Sequence, residues 1–394
     1  MQKHGIAEDQ RPIAGDSSVA LTAVQGKNRI RNLHFQRDRF MANDPRRMED
    51  LLWESRFCQA KEPKDKVFAI LGLVTDVDVN QPGLEIEYSD AESVEELYTR
   101  VARSLLKSNP DNLPSLLYEA GSALHPRIPG LASWIPDWSV PRAGSPLGGL
   151  SNVVNYHAAD QRPQKFSLAT DSPILNIEGA VFDRIRTTIS EFRPDTDPSH
   201  QRDDVYYGTE VVKWLRSAIE LKSSITNPTY SQVSHTSKTI EDAFWRTLIG
   251  SKTHLDTPAP ESYADEYEAL LVRQRFAQEA IDRAQQTGEN VLVQDDTGAW
   301  LQAERESRLY RHALQNMMYT KKYALTEKGY MGMLPSGSQA GDQICLVSGT
   351  AVPYVVRRET NKSWTLIGEC YIHGVMNGEL LQGGQVVWEM MDVA

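Results

Sequence analysis

Two textures divide this chain, and one type of secondary structure cannot serve both. In the first third, apolar residues recur at helical spacing. Val67, Ile70, Leu71 and Val74 fall at i, i+3, i+4 and i+7, a stripe that a helix has to bury. Met48, Leu51 and Leu52 share an earlier face, with Trp53 and Phe57 beside it, in a pattern that starts near Pro45. Ser93-Val94-Glu95-Glu96 is a capping box, in which each side chain satisfies the other residue's orphan backbone donor. It opens a helix with Leu97, Tyr98, Val101 and Leu105 on one side, and Asn109-Pro110 ends it. From Tyr323 onward the texture changes. Tyr323–Thr326, Ile344–Val347, Val352–Arg357 and Trp364–His373 are short apolar runs separated by Gly, Pro, Ser and Asn. Their spacing predicts a small antiparallel sheet or a partly open barrel. The fold class is therefore α+β.

Five segments follow from this pass. Residues 1–29 are polar and aperiodic, and read as a mobile leader. Residues 30–140 form the helical segment, with a short alternating strand expected at Leu84–Tyr88. Residues 141–172, rich in Pro, Gly, Ser and Asn, read as a linker. Residues 173–310 are a mixed, mainly helical α/β segment. It has a strand around Leu175, Ile177 and Val181, then helices over 211–221, 239–249 and 267–286, the last capped by Gly288. A loop is expected between Ser223 and Thr239, and a final helix from Arg305 to Tyr319. Residues 311–394 form the antiparallel β-module.

The formal net charge of −11 disfavours nucleic acid and anionic lipid as partners. No eighteen-residue apolar stretch occurs, so no membrane span is expected. The N-terminus has no apolar core, and the cysteines number three: Cys58, Cys345 and Cys370. That count points to reduced thiols in a cytoplasmic setting.

Little in the sequence carries chemistry. Residues three apart in a strand point to opposite faces, so Cys370 and His373 do not form a ligand pair. Trp364, Leu366, Cys370 and Ile372 are expected on a buried face, with Tyr371 and His373 on the other. His373 then reads as a surface or turn residue. Gly329, Gly332 and Gly337 fit no phosphate-loop spacing and read as hairpin turns. Lys64-Asp65-Lys66 reads as a helix start with solvated charges, Asp65 at the positive end of the dipole. Trp134 and Trp138, flanking Ile135-Pro136, read as a clamp holding an extended segment on a core. No catalytic, cofactor-binding or metal residue is assigned, and no cofactor is expected.

Four ordered blocks resemble the fungal heterokaryon-incompatibility (HET) protein family. Lys61 to Leu73 resembles its "D-P-R-D-K-V-[FY]-A-L-L-G-L" block, through Asp65, Lys66 and Gly72. Ile86 to Ser89 with Ser93 to Ala102 resembles "P-D-Y-S…S-V-E-E-V-Y…V-A". Leu131 to Ser139 resembles "L-P-S-W-V-P-D-W-S", through Trp134, Pro136, Asp137 and Trp138. The last block runs from Leu325 to Met376. It resembles the family's tail through Gly329, Gly332, Gly341, Asp342, Gly368, Glu369, His373 and Gly374.

The resemblance implies the middle and C-terminal regions of such a protein. The "Y-x-A-L-S-Y-x-W-G" and "W-I-D-x-x-C-I-N-Q" blocks of the family's usual N-terminal domain are absent from these residues. That domain is similar to TIR-type signalling domains, some of which cleave NAD. The function expected from the resemblance is a non-enzymatic scaffold or recognition region. It would act through protein partners, with self-association possible, in fungal non-self recognition and incompatibility cell death. The alternatives are a TIR-like NAD-cleaving enzyme and an inert truncated remnant.

Overall fold

A computed structural model describes residues 37–39, 41–42, 46–56, 58–75, 84–85, 92–121, 127–140, 147, 156–170, 172–192, 204–225, 239–288, 297–319, 321–360, 362–382, 384 and 386–394. The leader, Pro45, Phe57, most of the expected strand at 84–88, and much of the 141–172 linker and the 223–239 loop lie outside the described residues.

Among the described residues, 37–39 are helical and four helices follow: α1 (Met48–Ser55), α2 (Asp65–Leu71), α3 (Val94–Ser108) and α4 (Leu113–Gly121). The capping box at α3 is formed as its sequence dictates. Ser93 Oγ accepts the Glu96 amide at 3.2 Å, and the Ser93 amide donates to Glu96 Oε2 at 2.8 Å. The stripes are buried within the chain: Val67, Ile70, Leu71, Leu97, Val101 and Leu105 join one apolar cluster. Residues 127–140 follow without helix or strand, yet Leu131 to Trp138 are all buried.

The second part interleaves helices and strands. It runs β1 (Phe166–Leu168), β2 (Leu175–Thr188), α5 (Asp204–Ser223), α6 (Ile240–Leu248), α7 (Tyr263–Thr287), α8 (Ala299–Glu306), α9 (Arg308–Met318), β3 (Lys321–Thr326), β4 (Met331–Pro335), β5 (Gln343–Val347), β6 (Tyr354–Arg358), β7 (Trp364–Glu369), β8 (Tyr371–Ile372), α10 (Glu379–Gln382) and β9 (Glu389–Val393). The expected final helix is two helices meeting at Ser307, which caps one and opens the other. Gly288 closes α7 in the left-handed conformation, φ 72°.

All nine strands form one sheet in the order β5-β6-β7-β9-β2-β3-β4-β8, with β1 on β2 and a further β2–β5 pairing. The pairings close into a ring, β2–β5–β6–β7–β9–β2, so the sheet is a barrel. β2 makes this possible. Its fourteen residues pair with β9 over Leu175–Gly179, with β5 over Gly179–Arg184 and with β3 over Ile185–Thr188. Two register shifts, at Val181/Asp183 and Ile185/Thr187, mark where it bends.

β4 occupies a stretch expected to be a turn. Gly332 sits within it because a Cβ there would meet Tyr371 O at 2.9 Å, so the β4–β8 pairing needs a bare backbone. The single buried face expected for β7 and β8 is also corrected. Leu366 and Tyr371 join the large apolar cluster, and Cys370 and Ile372 join a second, smaller one. Gly368, at φ 147°, and the register shift at Val355/Val356 break the alternation between them. Both faces are buried.

Helix α6 packs on β3 through an aromatic edge, Phe244 meeting Tyr323 at 5.3 Å and 90°, and α7 packs on α9 through Tyr267 and Tyr310, 5.6 Å apart. The end of α4 abuts β7, where a Cβ on Gly121 would lie 2.3 Å from Gly368 Cα. Trp138 seals the first helical layer, its ring edge-on to Tyr98 at 5.1 Å. Trp138→Ala should cost about 3–5 kcal/mol, as for other large buried aromatics. Chemical denaturation measures this; a loss below about 1 kcal/mol would mean the ring packs on nothing essential.

Candidate functional site

The most constrained polar groups lie where α1, α2, α4 and the irregular segment meet. The Arg56 side chain is fully buried, and each of its nitrogens has an acceptor. Nε donates to Val140 O at 3.1 Å and Nη2 to Asp137 O at 3.0 Å. Nη1 donates to Glu119 O at 2.9 Å and Glu119 Oε2 at 3.3 Å. Trp138 Nε1 donates to the same carboxylate at 3.1 Å. Lys66 Nζ donates to Arg56 O at 3.2 Å and to Cys58 O. Burial pushes the Lys66 ammonium below the usual lysine range. The reading of Lys66 as a solvated charge is therefore corrected. Arg56 and Cys58, just after α1, supply the backbone carbonyls that its ammonium needs. Asp65, at the first position of α2, is half-buried. Gly72 caps α2 with ordinary helical angles.

Residues 131–138 are held the same way. Arg127 donates to the carbonyls of Ala120, Ala132, Ser133 and Ile135. Desolvation brings its guanidinium down to about 10, opposed by the Asp137 charge. Asp137 accepts the Ile128 amide at 2.9 Å and the Ser139 amide at 3.0 Å. Trp134 Nε1 donates to Pro173 O at 2.6 Å, and Pro136 is buried beside it.

The tail residues divide between two places on the sheet. At one turn, Asp342 receives Arg357 Nε at 2.8 Å and Nη2 at 2.9 Å, and the Gln339 amide at 2.9 Å. Gly329 and Gly341 take left-handed angles at the adjacent turns. Glu369 Oε1 accepts the Leu147 amide at 2.6 Å. At the other place, Gly368, His373 and Gly374 flank β8. His373 is not a surface residue: it is 2% exposed, and its amide donates to Met331 O.

The turn after α6 builds a cleft in which a motif side chain, His373, meets a cavity. After α6, Gly250 (φ 61°) and Ser251 (φ 53°) are both left-handed. The Ser251 amide closes the helix on Arg246 O at 2.7 Å. Ser251 Oγ and Tyr371 Oη share a hydrogen bond of 2.7 Å, and Tyr371 Oη and His373 Nδ1 one of 2.9 Å. These groups line a cavity of about 280 Å³ together with Arg246, Asn377 and Glu379. Burial lowers the imidazole to about 4, with Asp242 opposing and Arg246 reinforcing the shift. His373 is therefore neutral near pH 7, a hydrogen-bond partner rather than a strong base. Among the described residues no group of three His, Cys, Asp or Glu could hold a metal ion.

The last motif block, Leu325 to Met376, thus runs from the end of β3 through β8. The family model for the Het-6 beta-barrel domain matches residues 212–385. Heterokaryon incompatibility protein 6, OR allele, of Neurospora crassa is 23% identical over 355 residues, covering 80% of this chain and 48% of that protein. Residues 212–385 thus carry the likeness to the Het-6 beta-barrel domain, and the chain is similar to a heterokaryon-incompatibility protein along most of its length. It spans about half the length of that relative, and no solved structure matches it.

The structure joins Lys66, Asp137 and Trp138 around Arg56 and Glu119. Gly332, Gly368, His373 and Gly374 gather at β8, and Asp342 stands apart. Arg56, Glu119 and Arg127 escaped the sequence reading because no local spacing links them. Ser251 escaped because its role depends on a backbone angle.

His373 should make stability depend on pH. Its folded pKa lies below the usual 6.5, so folding excludes a proton that the unfolded chain binds. The stability is complete above about pH 6.5 and is lost as pH falls toward about 4, by roughly 3 kcal/mol. His373→Gln should flatten this part of the curve by that amount. Parallel curves for the two proteins would contradict the assignment.

Proposed function

We propose that this chain is a recognition and scaffold region of a fungal incompatibility protein, acting through protein contacts in non-self recognition. The relative's name supplies the biological setting. One observation carries the scaffold reading. The functional groups of Lys66, Trp134, Asp137, Trp138, Asp342 and Glu369 serve backbone amides, backbone carbonyls or a structural ion pair. These six residues of the family pattern hold segments of the chain together, which supports a scaffold role. Among the described residues no helix is long and apolar enough to cross a membrane, and the partner in this reading is another protein.

NAD hydrolysis tests the choice against the enzymatic alternative. Purified chain incubated with NAD should release no nicotinamide above buffer. Release that scales with protein concentration would overturn the scaffold reading.

A further inference from the structure

We propose that the cleft beside Ser251 binds a small, neutral, polyhydroxylated ring, such as a single sugar or a cyclic polyol. The argument starts from the backbone. A non-glycine residue at positive φ is uncommon, and such strain persists only where its surroundings enforce it. Here two left-handed residues in succession follow α6. A side chain at Gly250 would be strained, since its φ is 61° and a Cβ would crowd Tyr156 Oη at 3.0 Å. Ser251 carries one, and its angle aims Oγ at the Tyr371 hydroxyl. The residue that best tolerates this conformation is glycine, and a hydroxyl stands there instead, on the wall of a cavity.

The lining sets the ligand class. At 280 Å³ the cavity has the volume of roughly nine waters at about 30 Å³ each, which suits one small ring. The nearby charges balance. Arg246 donates to Asp242 at 2.9 Å, and Lys252 lies 4.2 Å from the Tyr156 ring centre, with Glu379 on the opposite side of the ledger. Neither a free anion nor a free cation finds an uncompensated partner. What remains is a set of groups that both donate and accept, namely the Ser251 and Tyr371 hydroxyls, the neutral imidazole and the Asn377 amide, beside the acceptor-only Glu379 carboxylate. Arg246 also reaches Glu261, whose side chain is 89% exposed. A screened contact of that kind yields easily to a ligand hydroxyl. A ring bearing several hydroxyls matches this alternation, whereas an apolar ring leaves the polar groups unpaired. The inference stands apart from the scaffold reading, which sugar binding would leave intact.

Saturation-transfer NMR on the full chain decides it. The panel is glucose, mannose, N-acetylglucosamine and myo-inositol, with acetate and ethanolamine as charged controls. At least one polyol should bind saturably, with Kd on the order of millimolar. Tyr371→Phe and Ser251→Gly should each weaken it about tenfold. Ser251→Gly relieves the backbone angle, so this variant should melt no lower than the parent. No saturable binding by any polyol overturns the proposal. So does binding that both variants leave unchanged, or a charged control that displaces the polyol.

Discussion

A buried stretch without helix or strand has to find partners for its backbone carbonyls elsewhere, and in this protein two arginines supply them. Leu131 to Trp138 lie under the surface with no ladder of their own. Arg127 takes four carbonyls at their edge, and Arg56 takes those of Glu119, Asp137 and Val140 from the other side. Removing such donors would strand several buried acceptors at once, each at a cost of about 1–3 kcal/mol. The Arg56–Glu119 pair need not add net stability over an apolar pair of the same shape. Its physical role is to fix which segments meet: the end of α1, α4 and the irregular stretch converge on one guanidinium.

The barrel depends on that junction through shared backbone. The carbonyl of Ala394, at the end of β9, accepts both the amide and the hydroxyl of Ser133, and Ser133 Oγ accepts the Leu366 amide. The irregular stretch is thus tied to β7 and β9 on one side and to the helices through Arg56 on the other. The close approach of Gly121 to Gly368 adds a contact that no side chain could occupy. Helical segment and sheet share one continuous apolar cluster as a result.

Much of this was legible in local pattern. Helix stripes, the capping box at Ser93 and the clamp formed by Trp134 and Trp138 follow from spacing alone. Several strands of the sheet did too, but its closure did not. β2 looks like an ordinary strand, and only its length and two bulges let it serve three neighbours. The solvated reading of Lys66 and the exposed reading of His373 failed for one reason. Both side chains are buried by segments distant in sequence, which periodicity cannot see. Arg56 and Glu119 stand sixty-three positions apart, and neither carries a local signal. The cleft at Ser251 depends on a backbone angle that residue type argues against.

The central claim is that the buried guanidinium of Arg56 organises the junction, and a double-mutant cycle on the Arg56–Glu119 pair tests it most directly. Equilibrium denaturation of Arg56→Met, Glu119→Gln and the double variant should show a loss of about 3–5 kcal/mol for Arg56→Met alone. The double variant should lose clearly less than the sum of the two single changes, because the partner's charge is no longer left uncompensated. Arg56→Met within about 1 kcal/mol of the parent, or strictly additive losses, would contradict this account of the fold.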